Sequence, residues 1–229
     1  MATAVHAGKT LTLTTSDGHQ LGAYRADPAG TPRGAVVILQ EIFGVNDHIR
    51  DVCDGYAKDG YVAIAPALFD RVERNLELGY DAADLDRGKK ARMQLKWDTA
   101  LLDVEAAAKA VRSAGKVGVV GYCYGGSVAW LCATRGDFID AAVCYYGNNI
   151  AEFSGEKPKV PVIIHSGSED HNITREKAEI VMKARPEVPY YLYEGVGHGF
   201  NCDKRADYDK VAGPLARQRS IDFLRKHIG

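Results

Sequence analysis

Short apolar runs and amphipathic stretches alternate along this chain regularly enough to indicate its class before any single residue is considered. At the start, Thr10 to Thr14 and Leu21 to Tyr24 alternate apolar with polar or small positions on either side of Asp17-Gly18, the pattern of a β-hairpin. Beyond it, apolar runs that read as strands fall near 35–39, 61–65, 117–121, 141–146, 160–165 and 189–193. Helical stretches fall between and after them, near 46–58, 91–113, 126–134, 174–184 and 214–227. Strand and helix taking turns predicts an α/β fold, a mostly parallel sheet with helices on both faces and any active site at the C-terminal ends of the strands. The stretch from Ala67 to Lys90 is charged and weakly periodic, so a long connection over the cleft is expected there. No internal repeat, low-complexity tract or linker interrupts the pattern, and residues 1–229 are expected to form one domain with a well-buried core.

The candidate chemistry begins where the 117–121 strand ends. Gly121-Tyr122-Cys123-Tyr124-Gly125-Gly126 has the pattern of a nucleophile elbow, a sharp strand-to-helix turn that leaves one side chain standing clear of the sheet. A side chain at Gly121 or Gly125 would crowd that turn. The helix N-terminus would aim partial positive charge at the Cys123 sulfur. A buried cysteine is more often an apolar filler than a nucleophile, so the elbow alone is only suggestive. Chain order adds weight, because the α/β-hydrolase pattern places an acid and then a histidine after the nucleophile, each at the end of a later strand.

Both are present. The 160–165 run leads through Gly167-Ser168-Glu169 to Asp170, and the 189–193 run leads to Gly197-His198-Gly199-Phe200. The candidate triad is therefore Cys123, His198 and Asp170. A free thiol with a pKa near ~8.5 is mostly protonated at neutral pH, and an adjacent imidazole raises the reactive fraction. A carboxylate on the far ring nitrogen fixes the tautomer of that imidazole. Glu169, Glu194 and Asp203 compete for the acid role, and His165 and His171 for the base. Asp170 is preferred because of its distance past the glycine turn, and His198 because it follows the acid on a separate strand.

With Gln40-Glu41-Ile42-Phe43-Gly44, the cysteine elbow, Tyr145-Tyr146-Gly147, Gly167-Ser168-Glu169-Asp170 and Gly197-His198-Gly199-Phe200 in place, the chain resembles the dienelactone hydrolase family of α/β-hydrolases over nearly its whole length. The resemblance implies hydrolysis of an enol-lactone or related ester through a thiol-ester intermediate, without a cofactor or metal. It implies an oxyanion hole from the backbone N–H groups of Ile42 and Tyr124, and contact between Glu41 and the resting thiol. A plainer role for Glu41 is a buried carboxylate bonded to backbone or to an arginine. Family members hold a substrate carboxylate with arginines, one of them shortly after the catalytic histidine, where this chain has Gly199-Phe200-Asn201-Cys202. Lys204 and Arg205 follow, and Arg87, Lys89, Lys90 and Arg92 form an upstream basic cluster that could face the cleft.

Aromatic residues beside the motifs suit a pocket for a flat, conjugated ring. Phe43, Tyr145 and Phe200, with Arg87, are the candidate substrate-binding residues; Trp97 and Trp130 read as packing residues on helices.

Composition narrows the partners. With 29 basic and 30 acidic residues there is no electrostatic footprint for nucleic acid or an anionic membrane surface. No apolar stretch approaches the ~20 residues that span a bilayer, and Met1 to His6 has no charged start followed by an apolar segment, so a cytoplasmic location is expected. Five cysteines without a C-x-x-C pair indicate reduced thiols, with Cys53, Cys132 and Cys144 in the core and Cys202 near the cleft. The expected partner is a small lactone or ester, with room for an anionic one, and the expected state is a monomer. The remaining readings are a broader carboxylesterase or thioesterase-like hydrolase, a redox-sensing thiol at Cys123, and a binding module without turnover.

Overall fold

Eight strands, in the order β1-β2-β4-β3-β5-β6-β7-β8, form a single sheet in the computed structural model, which describes residues 6–229. The expectation of a missing leader rests mostly on residues 1–5, which lie outside the described residues. The hairpin of β1 (Lys9–Thr14) and β2 (Gln20–Ala26) is antiparallel, and β2 runs antiparallel to β4 (Val62–Pro66). The other pairs are parallel: β3 (Ala35–Leu39) lies between β4 and β5 (Val117–Tyr122), followed by β6 (Ala141–Tyr145), β7 (Val162–Gly167) and β8 (Tyr190–Tyr193). This is an α/β-hydrolase-like fold with an N-terminal hairpin.

Side-chain alternation divides the core between the two faces. On β3, Ala35, Val37 and Leu39 enter one apolar layer, while Val36 and Ile38 enter the other. The first layer packs against α3 (Trp97–Val111) and α4 (Tyr124–Arg135), where Trp130 is fully buried and donates its indole N–H to the Phe153 carbonyl at 3.2 Å. The second packs against α1 (Asp47–Lys58) and α6 (Ala212–Ile228). On α1, Asn46 caps the start by accepting from the Ile49 N–H, and Ile49, Cys53, Tyr56 and Ala57 form the buried stripe. The remaining helix, α5 (Arg175–Ala184), is capped by Thr174 and turns Ala178 and Val181 inward.

The stretch from Ala67 to Lys90 departs from expectation. It contains a short 3₁₀ turn at Leu68–Arg71 and most of an additional helix, α2 (Ala82–Gln94). Asp81 caps α2 by accepting from the Asp84 N–H at 2.8 Å. Only Gly88 and Ala91 of α2 are buried, so it lacks the apolar stripe by which a helix is recognised in sequence. The helix expected over 91–113 is accordingly two, separated at Leu95 and Lys96, whose backbones are extended. At Gly88 a Cβ would lie 2.1 Å from the Ile42 carbonyl oxygen, so glycine lets α2 rest directly on the loop after β3.

Candidate active site

The sheet ends its central strand β5 at Tyr122, and α4 begins two residues later, leaving Cys123 alone in the turn with φ 54° and ψ −112°. A positive φ is uncommon for a side-chain-bearing residue and persists only where surrounding contacts fix it. The Cys123 N–H donates to the Tyr145 carbonyl at 3.0 Å, and the Gly125 N–H to the Gln40 carbonyl at 3.1 Å. The two elbow glycines are sterically required. A Cβ on Gly121 would lie 1.9 Å from the Gly125 carbonyl oxygen, and one on Gly125 2.5 Å from the Leu39 carbonyl oxygen. Cys123 is the cysteine that is partly exposed; Cys53, Cys132, Cys144 and Cys202 are buried.

His198 and Asp170 arrive from the neighbouring strands. The loops after β7 and β8 are laced together, since the Glu169 N–H donates to the Val196 carbonyl at 2.9 Å and the Gly195 N–H to Ser168 Oγ at 2.9 Å. Asp170 Oδ2 lies 2.7 Å from His198 Nδ1, while its Oδ1 accepts from the N–H groups of Asn172 at 2.8 Å and Ile173 at 3.1 Å. Burial works to raise the Asp170 carboxyl, but the His198 contact and the two amides outweigh it and hold it below the usual range. Burial alone would lower the His198 imidazole. The electrostatic influence of Cys123 and hydrogen bonds with Asp170 and Cys123 reverse that and push it up to about 10.

The competing groups are engaged elsewhere. Among the described residues the Glu169 side chain accepts a hydrogen bond only from its neighbour Ser168, Glu194 pairs with Arg175 at 3.1 Å, and Asp203 faces His48 at 3.4 Å. His165 is fully buried between Tyr193 Oη, 3.0 Å from Nδ1, and Ser220 Oγ, 3.1 Å from Nε2; burial drives it down to about 3. His171 is exposed. Cys202, expected near the cleft, is fully buried, with its thiol 3.4 Å from Tyr80 Oη.

A cavity of about 290 Å³ opens above Cys123 and His198, and Ile42, Phe43 and Tyr124 line it. Neither the Ile42 nor the Tyr124 backbone N–H has a partner among the described residues. Glu41, only 2% exposed, turns its carboxylate to Arg205 at 3.4 Å and makes no hydrogen bond to Cys123. This corrects the expectation drawn from the family resemblance, because a guanidinium is a stronger partner for a buried carboxylate than a thiol is.

Three of the expected substrate-binding residues lie off the cavity. Arg87 pairs with Glu73 on the outer side of α2, and α2 instead presents Lys89 and Arg92 at i and i+3. Tyr145 is fully buried, its hydroxyl 2.7 Å from Ser220 Oγ and its ring stacked on Tyr122; the twofold side-chain alternation of β6 directs it into the core. Phe200 is likewise fully buried, against Tyr146 and Tyr193. The neighbour of Tyr145 proves the more informative residue. Tyr146 has φ 38°, its ring centroid lies 5.0 Å from that of His198, and its buried hydroxyl has no partner among the described residues. The strain that marks it has no signature in a strand-end Tyr-Tyr pair.

Arg92 and the amides of Asn148, Asn149 and Asn172 complete the lining and were not singled out individually as site residues from sequence. The Arg92 guanidinium lies 4.0 Å from the Trp97 ring centroid and 4.4 Å from that of Tyr124, and it has no acidic partner among the described residues. Arg205 also reaches the cavity, but Glu41 and Asp207 already neutralise it. A larger furrow of about 570 Å³ runs along the β8 edge past Tyr191 and Phe223, away from any nucleophile. Among the described residues no cluster of His, Cys, Asp or Glu is arranged to hold a metal ion, and no helix is long and apolar enough to cross a membrane.

Comparison with known proteins gives the relatives of this chain. The sequence profile of the dienelactone hydrolase family matches residues 21–228. Carboxymethylenebutenolidase of Pseudomonas putida is 34% identical over 224 residues, covering 93% of this chain and 94% of the relative. A solved structure from Klebsiella pneumoniae superposes with a TM-score of 0.83 at 27% identity, over 94% of this chain and 98% of that one. The Pyrococcus furiosus esterase Pf2001, at 16% identity, shares the fold with a TM-score of 0.68 over 98% of this chain and 94% of that one.

Proposed function

The chain belongs to the dienelactone hydrolase family, a carboxylic ester hydrolase acting on lactone or ester substrates through a cysteine nucleophile, and from that premise we propose that its substrate is a small enol-lactone bearing a carboxylate. The observation that carries the carboxylate is Arg92, a guanidinium held between two aromatic faces at the cavity wall with no acidic partner among the described residues. Lys89, on the same face of α2, adds a second positive charge.

In the first half-reaction the Cys123 thiolate attacks the lactone carbonyl carbon. A carbon–sulfur bond forms, and the carbonyl π electrons move onto oxygen, where the N–H groups of Ile42 and Tyr124 receive the negative charge. Collapse of this intermediate breaks the ring carbon–oxygen bond. His198 gives its Nε2 proton to the departing enolate oxygen, and the resulting enol relaxes to a ketone. In the second half-reaction His198 takes a proton from water, hydroxide adds to the thioester carbonyl, and the carbon–sulfur bond breaks to return the thiolate and a free carboxylic acid. Asp170 keeps Nδ1 of His198 protonated throughout, so that Nε2 faces sulfur and substrate.

A turnover screen tests this reading. Anionic enol-lactones, neutral aryl esters and thioesters are compared with wild type and with Cys123→Ala. Selective hydrolysis of the anionic lactones, abolished in the variant, is the expected result. Equal turnover of the neutral esters would overturn the substrate assignment in favour of a broader carboxylesterase. Undiminished turnover in Cys123→Ala would overturn the catalytic one.

A further inference from the structure

The cavity wall formed by the turn after β6 is built more firmly than a loop normally is. Tyr146 enters it at φ 38°, anchored by its N–H to the His165 carbonyl at 2.7 Å. Gly147 then packs so closely on α4 that a Cβ there would lie 2.8 Å from the Ser127 nitrogen, and the Asn149 N–H donates to the buried Ser127 Oγ at 3.0 Å. Asn148 therefore faces the cavity on a fixed backbone.

Its amide is oriented from behind. Lys177, on the first turn of α5, places Nζ 2.9 Å from Asn148 Oδ1 and 3.0 Å from the Asn172 carbonyl oxygen. An ammonium group has only donors to offer, so the atom facing it is the amide oxygen, and the orientation of this side chain is settled. What Asn148 has left is its NH₂, which has no partner among the described residues. The same lysine ties the Asp170 loop to the wall through Asn172, whose N–H donates to Asp170 Oδ1.

We propose that Asn148, oriented by Lys177, is a substrate-binding residue that donates a hydrogen bond to an acceptor oxygen carried by the substrate in addition to its carboxylate and its ester. This deepens the hydrolase reading and rests on it. The substrate class becomes bifunctional: one anionic group for Arg92 and Lys89, and one ketone, enol ether or second carboxyl oxygen for the amide. Asn148 is the specificity residue, and Lys177 is a positioning residue that acts through it. An apolar chain at the same place would leave the NH₂ without a partner when the cavity excludes water, which is how a polar site rejects the analogue lacking the oxygen.

Equilibrium binding tests this without relying on turnover. In Cys123→Ala, 4-oxopentanoate and pentanoate are titrated and followed by NMR shifts; the keto acid should bind about tenfold more tightly, the worth of one enclosed hydrogen bond. Adding Asn148→Asp keeps the Lys177 contact and so the fold, but turns the donor into an acceptor, and the preference should vanish. Lys177→Met should reduce it about threefold by freeing the amide to flip, and Lys177→Arg should restore it. Equal binding of the two acids in Cys123→Ala, or a preference that survives Asn148→Asp, overturns the proposal while the turnover screen still decides the hydrolase reading by itself.

Discussion

His198 and Asp170 meet at 2.7 Å, and the aspartate is gripped from its other oxygen by two backbone amides, so the carboxylate is aimed before the imidazole arrives. Asp170→Asn should therefore fold normally, because its Oδ1 can still accept from the Asn172 and Ile173 N–H groups. Its amide would present NH₂ to Nδ1 and favour the wrong tautomer, and kcat should fall by about 10²–10⁴. Cys123→Ala should fall further still. Steady-state kinetics alongside thermal melts check both, and an asparagine variant with wild-type kcat would remove the aspartate from the mechanism.

The same histidine makes a prediction about charge. Burial opposes protonation, so the push up to about 10 comes from the contacts with Cys123 and Asp170. Its folded pKa lies above the unfolded value of about 6.5. Its contribution to stability is fully present below about 6.5 and is lost as pH rises through about 10. Cys123→Ser replaces the sulfur that helps to raise the imidazole and should lower the His198 titration. An NMR pH titration of the ring carbons reads this directly.

The parts of the fold legible in the sequence were those that follow one strong rule. β3, β5 and β6 are continuous apolar runs, and the hairpin alternates around Asp17-Gly18; both patterns survive in the structure with ends shifted by a residue or two. The elbow was legible because Gly121 and Gly125 are demanded by backbone approach, which leaves no other residue to choose. Helix α2 was not. Its buried residues are Gly88 and Ala91 alone, and six of its 13 residues are charged, so helical periodicity carries no signal there. Missing α2 misplaced the substrate residues too: with Arg87 read in a connection and Arg92 at the start of a separate helix, nothing in the pattern shows the 3.6-residue turn that sends one to Glu73 and the other to the cavity. Tyr145 rather than Tyr146 reads from the sequence as the site residue for a similar reason, since the strained backbone that turns Tyr146 to His198 is set by distant contacts.

Arg92 is predicted to discriminate by charge. Arg92→Met keeps an apolar stem against Trp97 and Tyr124 but removes the guanidinium. The ratio of kcat/KM for a carboxylate-bearing lactone over its methyl ester should fall about 10–100-fold, the range expected for one charge-assisted hydrogen bond. A ratio unchanged from wild type would mean that the carboxylate binds elsewhere.

His165 should govern acid stability although it lies outside the catalytic cavity. Fully buried between Tyr193 and Ser220, it is driven down to about 3 by burial and by the Arg219 charge, and so it is neutral in the folded protein. A depressed histidine contributes stability that is present above its unfolded value near 6.5 and is lost as pH falls toward 3, at up to about 1.4 kcal/mol per pH unit. His165→Gln has no proton to take up. Urea unfolding between pH 7 and pH 4 should show a shallower loss of stability in the variant than in wild type, whatever the offset at pH 7, and equal slopes would show that other groups dominate.

Gly88→Ala pits two effects of known size against each other. Alanine in the middle of α2 should gain about 1 kcal/mol of helix propensity over glycine. Against this, its Cβ would lie 2.1 Å from the Ile42 carbonyl oxygen, a contact with backbone on both sides that no rotamer change can relieve. Overpacking of this kind typically costs about 1–3 kcal/mol, so the clash should win and the melting temperature should fall. Relief by lifting α2 would move Lys89 and Arg92, while relief by pushing the loop would tilt the Ile42–Phe43 peptide and, through Ile42, displace the N–H of that residue. The two routes separate kinetically: a displaced helix raises KM for the anionic lactone with kcat preserved, and a tilted peptide lowers kcat for charged and neutral esters alike. A Gly88→Ala protein with wild-type melting and kinetics would show that the helix does not rest on the loop.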